Sequence, residues 1–222
     1  MNAHPYIVFD FDGTIADSID LGFRIFNRIA PEYNLQQVDE EIKKEIVTKH
    51  TQELLKKYGI SHLKVITLLL RLRKEFTQHI DEITLIAGME QALYDIKNAG
   101  LRIGILTSNS VVNVRKVMEK YGLSPIIDFV YSGKSLLGKD KVIRSMLKKE
   151  VISPDNVIYV GDETRDVEAS KKAGIPVVAV PWGFSSRQLL EAAKPNEIAD
   201  EPASLLECAW RLLNIEPKAV PQ

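Results

Sequence analysis

Four apolar residues in a row, Tyr6-Ile7-Val8-Phe9, end abruptly at Asp10-Phe11-Asp12-Gly13-Thr14. An apolar run without alternation predicts a parallel strand covered on both faces, and in such sheets ligands collect beyond the carboxyl ends of the strands. After Ser18 the pattern turns helical, and from about Asp17 to Asp81 no strand pattern occurs, which predicts a helical insert. Leu21, Ile25, Phe26 and Ile29 keep helical spacing until Pro31 breaks it. Asp39 to Lys57 predicts one or two short polar helices ended by Gly59. His62 to Ile80 predicts a longer helix with Leu63, Ile66 and Leu70 packed inward.

Regular exchange of helix and strand begins at Gly88. A helix through Leu93 and Ile96 stops at Gly100, and the strand Arg102 to Leu106 runs into Thr107-Ser108-Asn109. Val111 to Tyr121 follows as a helix, Ile126 to Tyr131 as a strand, and Lys139 to Lys149 as a helix. The strand Val157 to Val160 ends in Gly161-Asp162, and the helix Thr164 to Ala173 stops at Gly174. Pro176 to Val180, a short strand near Ile198 and a helix from Pro202 to Leu213 complete the pattern, with a loose tail expected from Ile215. Such alternation predicts an α/β protein with a doubly wound parallel sheet. The expected division is a core of residues 1–16 and 84–222 around a small α-helical domain of residues 17–83.

Composition adds mainly exclusions. The 222 residues carry a net charge of −1, with basic and acidic side chains interspersed, so a nucleic-acid partner is not expected. The first strand begins by Tyr6, which leaves no room for a signal peptide, and the apolar run Val65 to Leu70 is stopped by Arg71, too short for a membrane span. The expected compartment is therefore the cytoplasm. The lone Cys208, in an apolar segment, reads as a small core residue. His4, His50, His62 and His79 lack metal-ligand spacing and read as surface residues, and Trp182 reads either as a lining of the site entrance or as packing between loop and core.

The chemistry collects at three strand ends. Residues two apart in extended chain point the same way, so Asp10 and Asp12 are expected to converge, and close like charges call for a hard cation, Mg²⁺ being the simplest. With Thr107-Ser108-Asn109 and Gly161-Asp162-Glu163-Thr164-Arg165-Asp166 at the same sheet edge, the set describes a phosphoryl-transfer site, where positioning and charge stabilisation dominate.

The order DFDGTIADS, ILTSN, an intervening lysine and GDETRD resembles the four motifs of the haloacid dehalogenase-like hydrolase superfamily over nearly the whole chain. The position of the helical insert and Pro181-Trp182-Gly183-Phe184 resemble its phosphoglycolate phosphatase-like branch, which has a small helical cap. The resemblance implies a Rossmann-like core and a Mg²⁺-dependent phosphatase acting on a small soluble phosphate, phosphoglycolate foremost. It implies Asp10 as a nucleophile that becomes an aspartyl-phosphate, Asp12 as general acid and then base, and Thr107 as a donor to the phosphoryl group. Asp10, Asp162 and the backbone carbonyl of Asp12 would hold the metal, with Asp166, Ser108 and Asn109 in support; Glu163 falls at a variable position and stays outside the set. Lys134, Lys139 and Lys141 compete for the third motif. Lys139 is favoured because it opens a helix, yet the prolines usual after that lysine are replaced by Asp140 and Val142, which keeps Lys141 open.

Counting charge, Asp10, Asp12, Asp162 and Asp166 exceed what Mg²⁺ and one lysine neutralise, so a substrate with a further carboxylate would call for a cation from the cap. Lys43, Lys44, Lys49, His50, Arg71 and Arg73 are the candidates, although a solvated helix face is the ordinary reading of any one of them. Three other activities compete. A dehalogenase has no alkoxide to protonate and so no need of Asp12; a sugar phosphomutase would return the phosphoryl group to its substrate; an idle binding or regulatory protein would not need the four motifs intact.

Overall fold

The computed structural model describes residues 4–133 and 138–216, so Lys134 and the last residues of the tail lie outside the described residues. The expected parallel sheet is present: β1 (Tyr6–Phe9), β4 (Arg102–Thr107), β5 (Ile127–Ser132), β6 (Val157–Gly161), β7 (Val177–Ala179) and β8 (Glu197–Ile198) lie in the order β5-β4-β1-β6-β7-β8. Every pairing in it is parallel. The chain builds outward from β1 to β4 and β5, then returns to the other side of β1 with β6. That reversal opens a crevice at the carboxyl ends of β4, β1 and β6.

All four residues of β1 are buried, as an unalternating apolar run requires. Ile7 and Phe9 join Ile103, Ile105, Ile158 and Val160 on one face, under α5 (Met89–Asn98), α6 (Val111–Lys120) and α10 (Leu205–Leu213). Tyr6 and Val8 face the other way with Leu106, Phe129, Val157 and Tyr159, under α7 (Lys139–Glu150), α8 (Thr164–Ala173) and α9 (Arg187–Ala192). The six-residue helix α9 was not expected, being too short to show a period. Cys208 is buried in the first of these cores.

Between β1 and α5 the chain forms α1 (Ile19–Ile29), α2 (Glu40–Thr48), α3 (Thr51–Lys57) and α4 (His62–Gln78). The segment leaves through β2 (Ala16–Asp17) and returns through β3 (Thr84–Leu85), paired antiparallel as a two-stranded ribbon. Asp17 is thus in a strand where none was expected, because two residues carry no readable pattern. No described helix is long and apolar enough to cross a membrane.

The orientation of α4 corrects a second expectation. Leu63, Ile66 and Leu70 face outward, at 72%, 48% and 59% exposure, while Val65 and Leu68 are buried and Leu72 and Phe76 pack on the core. Apolar residues surround most of this helix, so spacing alone did not single out a face. Glu75 settles the phase: it is buried on the inner side, where Arg28 of α1 and Arg71 both pair with it. Leu68→Ala is accordingly expected to cost about 2 to 4 kcal/mol of stability, and Leu70→Gln less than about 0.5 kcal/mol. Urea denaturation followed by circular dichroism checks this, and the reverse ranking would return the outward residues to the core.

Candidate active site

Asp10 follows the last residue of β1 and is buried at the bottom of the crevice. Its Oδ1 accepts from the Phe11 N–H at 2.7 Å, and its Oδ2 accepts from Lys139 Nζ at 2.7 Å. Lys139 opens α7 directly after Gly138, and its ammonium also donates to Asp166 and sits 5.0 Å from the centre of the Tyr159 ring. Burial would pull the lysine down, but the charges of Asp10 and Asp166 hold it protonated. Burial pushes Asp10 up, opposed by Lys139. Lys141 is exposed, so the structure brings Lys139 and not Lys141 to the cluster.

Asp12 lies beside this cluster rather than within it. Ser18 Oγ donates to its Oδ1 at 2.8 Å, and Asn109 Nδ2 donates to its two oxygens at 3.2 and 3.0 Å. Burial, reinforced by the negative charge of Asp10, pushes Asp12 up to about 6. A carboxyl at that value exchanges protons readily near neutrality, as an acid and base in turn must.

At the end of β4, Thr107 is buried and its Oγ1 accepts from the Asn109 N–H at 2.9 Å. Thr107 and Ser108 line a small pocket together with Leu106, Gly133, Lys139 and Arg165. At the end of β6, Asp162 accepts from Thr14 Oγ1 at 2.9 Å and from the Phe184 N–H at 2.7 Å. Burial, with Glu163 adding to it, pushes Asp162 well up. Gly13 makes this approach possible: its φ is +77°, and a Cβ there would stand 2.3 Å from Asp162 Oδ2. Asp166, in the first turn of α8, accepts from Lys139 and from the Glu163 N–H.

Two charged residues belong to this region that the motifs had not placed there. Arg165 lines the pocket and pairs with Glu163, whose carboxyl burial pushes up against the pull of that guanidinium. Arg165 Nε is buried without a hydrogen-bond partner among the described residues. The surplus of negative charge was the signal for a missing cation, and one source of it lies inside GDETRD itself. Ser18, the last residue of the first motif, is the other addition.

The six insert cations separate clearly. Lys43 bonds Asp20 at 2.7 Å, Lys49 bonds Glu45 at 2.6 Å, Arg71 pairs with Glu32 and Glu75, and Lys44 is exposed. His50 is half-buried, with Nδ1 3.5 Å from Thr164 Oγ1, and Arg73 Nη2 donates to the Gly133 carbonyl at 2.6 Å. Only these two of the six reach the edge of the sheet among the described contacts. The loop after β7 also meets the insert: the Phe184 and Phe23 rings stack at 6.2 Å, and the Ser186 N–H donates to the Val47 carbonyl at 2.7 Å. Trp182 packs on the core and donates to the Thr14 carbonyl at 3.1 Å.

Asp10, Asp162 and Asp166 each offer a carboxylate oxygen, all within 4.8 Å of one another. Buried, hard oxygen donors of this kind fit a divalent cation such as Mg²⁺. All three also accept hydrogen bonds within the core, Asp10 and Asp166 from Lys139 and Asp162 from Thr14 and the Phe184 N–H.

A doubly wound sheet whose central strand delivers a lysine-paired aspartate, beside a second carboxyl of raised pKa, marks an enzyme built on a parallel α/β core. The chain belongs to the haloacid dehalogenase-like hydrolase family, whose model matches residues 7–180. It is 33% identical over 207 residues to the phosphoglycolate phosphatase of Synechococcus elongatus, covering 93% of this chain and 98% of that protein. It is 25% identical over 223 residues to the N-acetylmuramic acid 6-phosphate phosphatase of Pseudomonas aeruginosa, covering 93% and 95%. A solved structure from Clostridium acetobutylicum, described as a predicted phosphatase, superposes with a TM-score of 0.80 at 24% identity, covering 95% of this chain and all of that one. Within the family the chain falls among the phosphatases, in the phosphoglycolate phosphatase-like branch.

The raised carboxyls set a pH dependence. Asp12 binds its proton near 6 in the folded protein against its ordinary 3.8, and Asp10 and Asp162 shift in the same direction. A carboxyl raised by folding contributes stability that is complete below the unfolded value and is lost as pH rises through the folded one. Metal-free protein is therefore expected to melt at a higher temperature at about pH 5.5 than at about pH 7.5, and Mg²⁺ to stabilise it more at the higher pH. Scanning calorimetry in chelator and in Mg²⁺ checks both signs; a metal-free melting temperature that falls on going to the lower pH would contradict the assignment.

Proposed function

We propose that the chain is a Mg²⁺-dependent phosphomonoester hydrolase that works through an aspartyl-phosphate on Asp10, in the cytoplasm, on a small soluble metabolite. Residues 1–16 and 84–222 form the catalytic core and residues 17–83 the cap. The observation that carries this reading is the pair of carboxyls at the end of β1. One is paired with a buried lysine that opposes the upward push of burial, and the other is pushed up to about 6 by burial and by the first.

Asp10 attacks phosphorus, and Asp12 gives its proton to the departing alkoxide. Asp12, now ionised, takes a proton from the water that attacks the aspartyl-phosphate, which frees phosphate and restores Asp10. Thr107 and Ser108 receive the phosphoryl oxygens, and Lys139 and Arg165 compensate their charge. Asn109 and Ser18 hold the Asp12 carboxyl in place between its two proton transfers. Asp10, Asp162 and the Asp12 carbonyl would hold Mg²⁺, with Asp166 beside them; when bound, the ion neutralises charge on the transferring group. Phosphoglycolate is the leading substrate, supported by the likeness to the Synechococcus elongatus enzyme of that name.

A panel of phosphate esters assayed with and without Mg²⁺ tests the reaction. Chelator is expected to abolish turnover reversibly, and Asp10→Asn to lower kcat by at least about 10³-fold. A phosphoryl adduct on Asp10 in acid-quenched wild-type enzyme, absent from the variant, is the corresponding covalent signature. Full turnover in Asp10→Asn would remove the covalent route.

A further inference from the structure

Asn109 lies at the centre of a chain of hydrogen bonds that begins inside the core and ends on Asp12. Its N–H donates to Thr107 Oγ1 and its carbonyl accepts from Ser132 Oγ at 2.6 Å, so the ends of β4 and β5 fix its backbone. Its Oδ1 accepts from the Ser110 N–H at 2.8 Å and from Asn113 Nδ2 at 3.0 Å. A backbone N–H can only donate, so Oδ1 is the atom turned to Ser110 and Nδ2 the one turned to Asp12. Both lone pairs of Oδ1 are then used, and the amide cannot turn over without breaking two bonds. Asn113, on α6, is fully buried, and its helix neighbours on the inner face, Val114, Val117 and Met118, are apolar. Its own Oδ1 has no partner among the described residues. A buried acceptor left unpaired is costly, so an apolar residue would suit the position better for packing alone. The one described hydrogen bond that the Asn113 side chain makes runs to the residue that holds Asp12.

We propose that Asn113 is a positioning residue of the reaction: by locking the Asn109 amide it fixes the Asp12 carboxyl so that Oδ2 is the atom that gives up and recovers the proton. This rests on the phosphomonoesterase reading above. The donors reach the two oxygens of Asp12 unequally. Oδ1 accepts from both Ser18 Oγ and Asn109 Nδ2, whereas Oδ2 accepts from Asn109 alone, at 3.0 Å. Oδ1 is thereby saturated, and Oδ2 keeps a lone pair for the proton. A carboxyl held at one oxygen only can swing about its Cβ–Cγ bond. Here the donors come from two separate elements, Ser18 ahead of α1 and Asn109 ahead of α6, and together they stop that rotation. Proton transfer needs the acid within hydrogen-bond reach of the leaving oxygen, and a small misplacement is felt strongly in the rate. Asn113 touches none of this directly and acts through Asn109.

The test compares Asn113→Leu with wild type on two esters that differ in their need for a proton: ethyl phosphate, whose alkoxide must be protonated, and p-nitrophenyl phosphate, whose phenolate leaves without one. Single-turnover release of the alcohol or phenol isolates the step in which Asp12 is the acid. Asn113→Leu is expected to slow that step roughly 10- to 100-fold on ethyl phosphate and less than about threefold on p-nitrophenyl phosphate. Asn113→Ala supplies the same comparison if leucine does not fit the position. Equal losses on the two esters would reduce Asn113 to packing and overturn the proposal, as would no loss on either. Asn109→Ala, alone and combined with Asn113→Leu, closes a double-mutant cycle: equal rates support action through Asn109, and a further loss in the pair overturns it. A crystal structure of Asn113→Leu gives a readout independent of turnover: an Asn109 amide turned away from Asp12 supports the lock, and an unmoved amide overturns it. If wild type cleaves neither ester, the hydrolase reading fails by itself, and the position of Asn109 in that crystal still decides the lock.

Discussion

The ammonium of Lys139 is the constraint around which the site is assembled. Three buried aspartates, Asp10, Asp162 and Asp166, converge within one small volume, and in a medium of low dielectric such a set repels itself strongly. Lys139 donates to two of them from the first turn of α7, and the Tyr159 ring behind it offers its face to the same charge. Tyr159 is itself fixed by a hydrogen bond from its hydroxyl to the Leu106 carbonyl, so β6 and β4 both define where the ammonium sits. The sheet order then has a direct chemical meaning. Placing β1 between β4 and β6 brings a carboxylate, a hydroxyl and a second carboxylate to adjacent strand ends, and the helix after β5 returns the lysine across them.

The architecture was legible because its signals are long or chemically blunt. The buried run Tyr6 to Phe9 has no alternation to misread, and the exchange of helix and strand after Gly88 extends over many elements, each ended by glycine or a polar cluster. What escaped was short or ambiguous. The ribbon of β2 and β3 has two residues a side, below any period. In α4, apolar residues occur at so many positions that the buried face depends on Arg28 and Arg71 finding Glu75, a tertiary fact.

The site divides along the same line. Asp10, Asp12, Thr107 and Asp162 stand at strand ends, where the pattern itself locates them. Lys139 and Lys141 were equal in chemistry and separated only by the helix start at Gly138, which turns the first inward and leaves the second in solvent. Arg165 went unread because a charged residue in the first turn of a helix ordinarily faces water, whereas here it pairs with Glu163, the N-cap of the same helix, and lines the pocket. A charge count points to the need for such a cation; only the packing says which element supplies it.

The ribbon β2–β3 carries a consequence for how such a protein diverges. It closes the whole helical segment at its base, holding Ala16 beside Leu85, so the rest of the chain meets a pair of fixed ends whatever lies between them. The entropy of closing a loop grows only logarithmically with its length, each doubling adding about 0.6 kcal/mol. Closure itself therefore sets little limit on the length of the segment above the ribbon. What the segment must keep are the side chains it packs into the shared core, Leu21, Ile25 and Phe76 among them.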